Sequence, residues 1–214
     1  MKLISEMTSE VEYLTESTKD GKSAKYIHGV FMQAIKENRN GRSYPLATMK
    51  NAVSKYVTEK VSKGCAYGEL NHPSGPQIDL ERACIIINSL DVQESGQVIG
   101  KARITETPVG QIVRGLIESG ACLGVSSRGL GSLKEVNGIN EVQQDFRLVT
   151  AADVVADPSA HEAYVQGVME GVDWLYNENT GEWVEDQKKI LQTKTIQQIQ
   201  EAKLFLFNKF LKTL

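Results

Sequence analysis

Runs of hydrophobic residues divide the middle of the chain into predicted strands. The segment at 25–34 is rich in β-branched and aromatic residues and predicts a strand. Residues 83–92 and 96–104 predict two neighbouring strands, and residues 121–133 and 145–160 predict two more. The strand predicted over 121–133 contains adjacent serines, and the strand predicted over 145–160 contains an aspartate among small and apolar residues.

Helices are predicted where apolar residues recur every three or four positions. Residues 46–61 have this spacing and predict an amphipathic helix. Shorter helices are predicted over 110–120, where Gly120 ends the segment, and over 161–172. Glycine and proline mark a turn over 38–45 and a loop over 67–79. The pattern as a whole mixes strands with helices.

The two ends of the chain differ in composition from the segment between them. Residues 1–24 are polar and poor in aromatics, which predicts a flexible N-terminal arm before an ordered domain over 25–176. Residues 177–214 are predicted as a linker and a C-terminal helical tail, because they become rich in helix formers. The tail has an apolar stripe formed by Ile196, Ile199, Lys203, Leu206 and Phe210. This stripe fits either a docking helix or a helix of the core.

Composition and charge exclude several classes of partner. The chain has 24 Lys and Arg against 27 Asp and Glu, so no basic field favours nucleic acid or an anionic membrane. Cys65, Cys84 and Cys122 are widely spaced, which predicts reduced thiols in a cytoplasmic protein. The N-terminal segment lacks the apolar run of a signal peptide, and no stretch approaches transmembrane length. Phosphate-loop and HExxH patterns are missing from the sequence, so we expect neither a cofactor nor a metal.

The segment Gly124–Gly131, GVSSRGLG, places two hydroxyls among glycines. If the segment is a strand, Ser127 shares a face with the apolar Leu123 and Val125, and that face is predicted to be the core. Ser126 then lies on the opposite, open face, with room for a substrate. Ser126 is therefore the better-placed nucleophile.

A serine nucleophile needs a base, and a base needs a group that orients it. His72 precedes Pro73 in the predicted loop, and the proline restricts its backbone, as suits a catalytic base. His72 fits equally well as a turn histidine without a catalytic role. Asp153 lies in a nearly apolar segment, where a carboxylate needs a hydrogen-bonded partner. That partner is either a histidine N–H or an arginine, Arg128 or Arg147.

Several motifs carry a resemblance to a known family. YIHGVFMQA, NRNGRSYP, GELNHPSG, GVSSRGLGS and ADVVADPSA occur in this order. Together they resemble the prohead core protein proteases of T-even-type bacteriophages, over about Lys25 to Ala163. The resemblance implies a serine endopeptidase that acts in the host cytoplasm, inside the assembling prohead. It also implies an α+β fold with a β-barrel-like core ringed by helices, as in the herpesvirus assembly protease.

The resemblance further implies roles for individual residues. His72 matches the histidine of the catalytic triad, Ser126 the nucleophile and Asp153 the acid. The backbone N–H groups of Arg128 and Gly129 are candidates for the oxyanion site. The implied partners are capsid and scaffold precursor proteins, and self-association is expected without a defined order.

Cleavage after glutamate, in the pattern Leu or Ile, any residue, Glu, is also implied. The autocleavage candidates are Glu6 and Glu16 in the arm and Glu201 in the tail, which predicts a zymogen. Matches inside the domain are expected to survive, because a protease needs an extended, unpaired substrate. The alternative is a non-enzymatic prohead scaffold or core component with an unassembled triad. A small-substrate esterase is less favoured, because GVSSRG lacks the last glycine of G-x-S-x-G.

Overall fold

A computed structural model describes residues 2–8, 11–17, 23–38, 40–73 and 75–156, and the backbone of residues 174–177 and 182–185. The chain divides into two compact units, Met1–Gly171 and Val172–Leu214. The first unit contains His72, Ser126 and Asp153. The predicted domain boundary after residue 176 falls inside a strand of the second unit, Trp174–Asn177.

The larger sheet of the first unit has five antiparallel strands. They are β2 Val11–Ser17, β3 Ser23–Gln33, β5 Tyr67–Glu69, β6 Ala83–Val92 and β7 Gln97–Ile104. Their order across the sheet is β2–β3–β7–β6–β5. The strands predicted over 25–34, 83–92 and 96–104 are confirmed, and the last two are neighbours. Phe31, Ile85 and Val98 of this sheet are buried in the core.

A second, three-stranded sheet carries the candidate serine and aspartate. Its strands are β1 Lys2–Thr8, β8 Leu123–Gly131 and β11 Arg147–Ala156. β8 lies in the middle and is antiparallel to both neighbours. β8 and β11 confirm the two strands predicted in this region. Every residue of β8 is buried, which is possible because strands on both sides satisfy its backbone groups.

A third sheet was not predicted in full. It consists of β4 Arg42–Ser43, β9 Leu133–Val136 and β10 Ile139–Val142, in the order β4–β10–β9. β9 is mostly exposed and β10 is only partly buried, so neither has the hydrophobic pattern that marks a buried strand. The signal that could have revealed them is Asn137-Gly138, whose φ angles of 53° and 81° suit a tight hairpin turn.

Two helices of the described residues pack against these sheets. α1 spans Leu46–Tyr56 and continues as a π-helical turn over Val57–Val61, which confirms the helix predicted over 46–61. Its buried residues include Met49, Val53 and Tyr56. α2 spans Pro108–Glu118 and confirms the second helix. The Thr107 hydroxyl caps its N-terminus by accepting a hydrogen bond from the Gly110 N–H at 3.2 Å.

The described residues differ from the expected architecture of the first unit in two respects. The sheets of the described chain are open and do not close into a barrel, and α1 and α2 are too few to ring the core. The arm predicted over residues 1–24 contains β1 and β2, which pair with β8 and β3. Polar composition indicates little core burial, but it does not prevent a segment from hydrogen-bonding to a strand edge.

The second unit contains a hairpin that spans the predicted boundary between the domain and the linker. β12 Trp174–Asn177 and β13 Glu182–Glu185 pair antiparallel. The short helix predicted over 161–172 lies outside the described residues. The remainder of the predicted helical tail, after residue 185, also lies outside them.

Candidate active site

Ser126 and Asp153 lie directly opposite each other on neighbouring strands. The antiparallel register of β8 and β11 pairs Asp153 with Ser126 and Val154 with Val125. An irregularity in β11 between Thr150 and Asp153 sets this register. Ser126 is 1% exposed and Asp153 is fully buried. The sheet therefore holds a hydroxyl and a carboxylate together, away from solvent.

His72 reaches this pair from the loop after β5, which lies unusually close to β11. A Cβ atom at Gly68 would lie 2.0 Å from the Ala152 carbonyl oxygen, so only glycine permits this approach. After β5, the Asn71 N–H donates to the Val154 carbonyl at 2.8 Å. Asn71 has a φ of 61°, in the left-handed region that asparagine tolerates. These contacts anchor the residue immediately before His72.

The three side chains form a continuous hydrogen-bonded series. His72 Nε2 lies 2.6 Å from Ser126 Oγ, and His72 Nδ1 lies 2.9 Å from Asp153 Oδ2. A carboxylate can only accept, so Nδ1 carries the proton and donates to Asp153. Nε2 is then the acceptor for the Ser126 hydroxyl. This is the arrangement in which an imidazole can remove a proton from serine.

Asp153 binds two of its predicted partners at the same time, a histidine N–H and Arg128. Its carboxylate accepts from His72 and also from Arg128, whose Nε lies 2.5 Å from Oδ2 and whose NH2 lies 3.3 Å from Oδ1. Arg147, the other arginine considered, is exposed. The scaffold alternative assumed an unassembled triad, whereas His72 lies within hydrogen-bonding distance of both Ser126 and Asp153.

Glu69 is a site residue that sequence reasoning missed. It is the last residue of β5, fully buried, and its Oε2 accepts a hydrogen bond from Arg128 NH2. Its backbone N–H also donates to Asp153 Oδ1 at 2.8 Å. The nearest signal in the sequence was its position inside the GELNHPSG motif, three residues before His72. Nothing local indicated that its side chain would be buried.

Burial dominates the electrostatics around the site. It raises the pKa of Glu69, although Arg128 and the Asp79 N–H act in the opposite direction. Burial and the nearby charge of Asp153 raise the pKa of the Cys84 thiol to about 12. Cys84 therefore remains a neutral thiol beside the site and is not a competing nucleophile.

Ser126 and Ser127 lie on opposite faces of β8, as predicted, but Ser126 is not exposed to solvent. Alternation along β8 does separate Ser126 from Ser127, and His72 bonds to Ser126. Both serines are buried, however, at 1% and 3% exposure. In the plane of the sheet, β1 lies along one edge of β8, with Met7 opposite Ser126.

The oxyanion assignment to Arg128 and Gly129 stays a prediction. Both residues lie inside β8, with β1 on one side and β11 on the other. In an extended strand, consecutive N–H groups point towards opposite neighbours, so these two cannot face one oxyanion together in this conformation. The structure instead assigns the Arg128 side chain to Asp153 and Glu69.

The two autocleavage candidates within the described residues, Glu6 and Glu16, lie in paired strands and not in the unpaired segments expected. Glu6 lies in β1 opposite Ser127. Glu16 lies in β2 opposite Ala24, with its carboxylate 2.6 Å from Lys101 Nζ. Glu201 lies outside the described residues.

In the part of the chain that the structure describes, no three His, Cys, Asp or Glu side chains are grouped so that they could hold a metal ion. Neither α1 nor α2 has the length and apolarity that a membrane-spanning helix needs.

Comparison with known proteins places the chain among peptidases. A family model described as prohead core protein serine protease matches residues 4–172. The prohead core protein protease of Enterobacteria phage T4 is 42% identical over 143 residues, which are 65% of this chain and 67% of that protein. The solved structure of the bacteriophage T4 capsid assembly protease matches with a TM-score of 0.68 and 34% identity, covering 73% of this chain and 98% of that one. The chain belongs to the prohead core protein serine protease family.

Proposed function

We propose that the chain is a serine endopeptidase of prohead maturation whose catalytic triad is Ser126, His72 and Asp153. The observation that carries the proposal is the hydrogen-bonded series, 2.6 Å from Ser126 to His72 and 2.9 Å from His72 to Asp153. Both separations lie within the range for proton transfer without further rearrangement.

The reaction is acyl transfer in two stages. His72 Nε2 takes the proton of Ser126 as Oγ attacks the substrate carbonyl carbon, and Asp153 stabilises the resulting imidazolium. The imidazolium gives this proton to the leaving amine, and the acyl group remains as an ester on Ser126. Water then loses a proton to His72 and attacks the ester, which releases the acid and restores Ser126.

The proposed substrates are capsid and scaffold precursor proteins, inside the assembling prohead in the host cytoplasm. The family description and the name of the T4 relative, a capsid assembly protease, support this substrate class. Cleavage after glutamate, in the pattern Leu or Ile, any residue, Glu, rests on the family resemblance in the motifs.

Substitution of the two adjacent serines tests the nucleophile. We expect Ser126→Ala to abolish cleavage of a precursor peptide, because His72 then has no hydroxyl to activate. Ser127→Ala is the matched control, equally buried and one residue away, and it should keep much of the activity. Gel and mass analysis of the products measures both, and an inactive Ser127→Ala beside an active Ser126→Ala would exchange the assignment.

We propose further that the chain processes itself, first at Glu6. In the register of β1 and β8, Met7 faces Ser126 and Glu6 faces Ser127, so the Glu6–Met7 peptide bond lies beside the nucleophile. Facing residues of such a pair have Cα atoms about 4.5–5.5 Å apart. This register favours Glu6 over Glu16, which lies in a different sheet. Glu201 remains a proposed site on its sequence pattern alone.

The mass of the purified chain tests this order of processing. We expect wild type to lose residues 1–6 and Ser126→Ala to keep them. Glu6→Gln should keep them as well, whereas Glu16→Gln, the control, should still be cut after Glu6. Active enzyme with an intact N-terminus would overturn the proposal.

A further inference from the structure

One guanidinium is shared by two carboxylates at the junction of β5, β8 and β11. Arg128, Glu69 and Asp153 are all fully buried. Arg128 binds both oxygens of Asp153 side-on and donates to Glu69. An isolated arginine–carboxylate pair needs only one acid, so the second carboxylate calls for an explanation.

The contacts of Asp153 fix its orientation completely. An ionised carboxylate has about four acceptor sites. The four donors to Asp153 are His72 Nδ1, the Glu69 backbone N–H, and Nε and NH2 of Arg128. Because Arg128 holds both oxygens, the carboxylate cannot rotate without breaking a charged hydrogen bond. His72 therefore meets an acceptor with one fixed direction.

The same two residues also hold the loop that carries His72. Arg128 NH1 donates to the Gly75 carbonyl at 3.0 Å, after His72 in the chain. Glu69 Oε1 accepts from the Asp79 N–H at 2.8 Å, at the far end of the loop. The loop that follows Glu69 is therefore held at two further points, by the side chain of Glu69 and by the side chain of Arg128.

The charges in this cluster balance only when His72 is protonated. When both carboxylates are ionised, Asp153, Glu69 and Arg128 sum to one negative charge, and an imidazolium on His72 brings the sum to zero. Without Glu69 the sum would be zero before proton transfer and positive after it. In a buried site with weak solvent screening, this difference affects the stability of the imidazolium.

We propose that Glu69 and Arg128 are positioning residues for the reaction: Arg128 orients Asp153, and Glu69 offsets the charge of Arg128 so that the site stabilises the His72 imidazolium. The inference rests on the proposed triad but concerns residues that do not touch the substrate. Two further charged residues lie near the cluster and are kept in every variant below: Arg82, which donates to the Leu70 carbonyl at 2.5 Å, and Asp79, whose backbone N–H donates to Glu69.

Titration of His72 by NMR, in the Ser126→Ala background to prevent self-cleavage, tests the charge part of the proposal. We expect Glu69→Gln to lower the titration midpoint of His72 by on the order of one pH unit, because a negative charge is lost. Arg128→Met should raise the midpoint, because a positive charge is lost. His28 in β3 is the internal reference, and Glu118→Gln, an exposed glutamate on α2, is the matched control. The midpoint of His28 should be the same in every variant, and Glu118→Gln should leave the midpoint of His72 unchanged.

Two further variants separate charge from orientation and remain informative if Arg128→Met does not fold. The double variant Glu69→Gln/Arg128→Met removes one charge of each sign, so the midpoint should return towards that of the parent. With Ser126 restored, its kcat should remain low, because Asp153 has lost its side-on partner. Arg128→Lys keeps the charge, so it should keep the midpoint and still lower kcat.

The outcomes distinguish this inference from the proposed function. Midpoint shifts in the expected opposite directions, with no peptide cleavage by wild type, would contradict the proposed function and leave the charge assignment in place. An active wild type in which Glu69→Gln changes neither the midpoint nor the pH dependence of kcat/KM would overturn the inference. Shifts in the same direction for Glu69→Gln and Arg128→Met would also overturn it.

Discussion

Two arginine–glutamate pairs of the described chain differ in their surroundings. Arg128 and Glu69 join β8 to β5, and neither side chain is exposed to solvent. Arg114 and Glu118 lie one helical turn apart on α2, with an Nε–Oε1 distance of 2.8 Å, and their side chains are 40% and 50% exposed. The two pairs contain the same charged groups but differ in burial, and Arg128 also binds a second carboxylate, Asp153.

The pKa values of the two glutamates shift in opposite directions. Burial raises the pKa of Glu69 above its ordinary value of 4.5, despite the opposing effect of Arg128. The hydrogen bond from Arg114 lowers the pKa of Glu118 below the same value. In solvent the partner decides the shift, whereas in the core the loss of hydration outweighs the partner. The buried pair therefore serves to position groups more than to add net stability.

Removal of the two arginines should produce the largest contrast. Arg128→Met leaves Glu69 and Asp153 as buried carboxylates without their cation, so we expect a loss of about 3–5 kcal/mol in the free energy of unfolding. Arg114→Met removes an exposed partner and should cause no measurable loss. Urea denaturation of both variants measures the difference, and equal losses would show that burial does not separate the pairs.

Gly68 in β5 and Gly115 in α2 differ in how closely other atoms pack around them. Gly68→Ala places a Cβ 2.0 Å from the Ala152 carbonyl oxygen, so β5 must move away from β11. We expect a loss of about 1–3 kcal/mol and slower turnover, because Glu69 and His72 move with β5. Gly115, within α2, has no atom within 4 Å of an added Cβ. Gly115→Ala should therefore stabilise the helix by up to about 1 kcal/mol.

Thermal denaturation and peptide cleavage of both glycine variants test this contrast. A Gly68→Ala variant with unchanged Tm and turnover would contradict the close contact between β5 and β11. A Gly115→Ala variant that is strongly destabilised would show that α2 packs against more than the described residues.

The smallest expected effect is a difference in the pH dependence of stability. The raised pKa of Glu69 means that folding favours its protonated form, so its contribution is highest below its ordinary value of 4.5 and falls as pH rises towards the folded pKa. The lowered pKa of Glu118 means the reverse: its contribution is present above 4.5 and is lost as pH falls through the folded pKa. Relative to Glu69→Gln, wild type should lose stability as pH rises.

Relative to Glu118→Gln, wild type should gain stability as pH rises through the same range. Denaturation of both variants from about pH 3 to about pH 8 measures the two slopes. Slopes of the same sign would mean that Arg128 outweighs the burial of Glu69.

Much of the fold could be predicted because strand and helix periods are local. The strands around Ile85 and Val125 and the helix from Leu46 follow from hydrophobic spacing within one segment. The β9–β10 hairpin escaped this reasoning because β9 is mostly exposed and β10 is only partly buried. β1 and β2 escaped it because their pairing depends on strand edges elsewhere in the chain.

The candidate site was predicted in part for the same reason. The choice of Ser126 depends on alternation along a single strand, which is a local property. The roles of His72 and Asp153 entered through the motif resemblance, and the residues themselves left other roles open. Glu69 could not be found locally, because its partner Arg128 is 59 positions away in the chain.

The sequence by itself determined the types and periods of the central strands, the identity of the family through its motifs, and the opposite orientation of Ser126 and Ser127 along one strand. Only the tertiary structure decided that Asp153 binds His72 and Arg128 together, that β5 approaches β11 at Gly68, and that β1 covers the edge of β8. The physical reason is that backbone periodicity arises between near neighbours, whereas loss of hydration and strand pairing depend on segments that are distant in the chain and meet only in the folded protein.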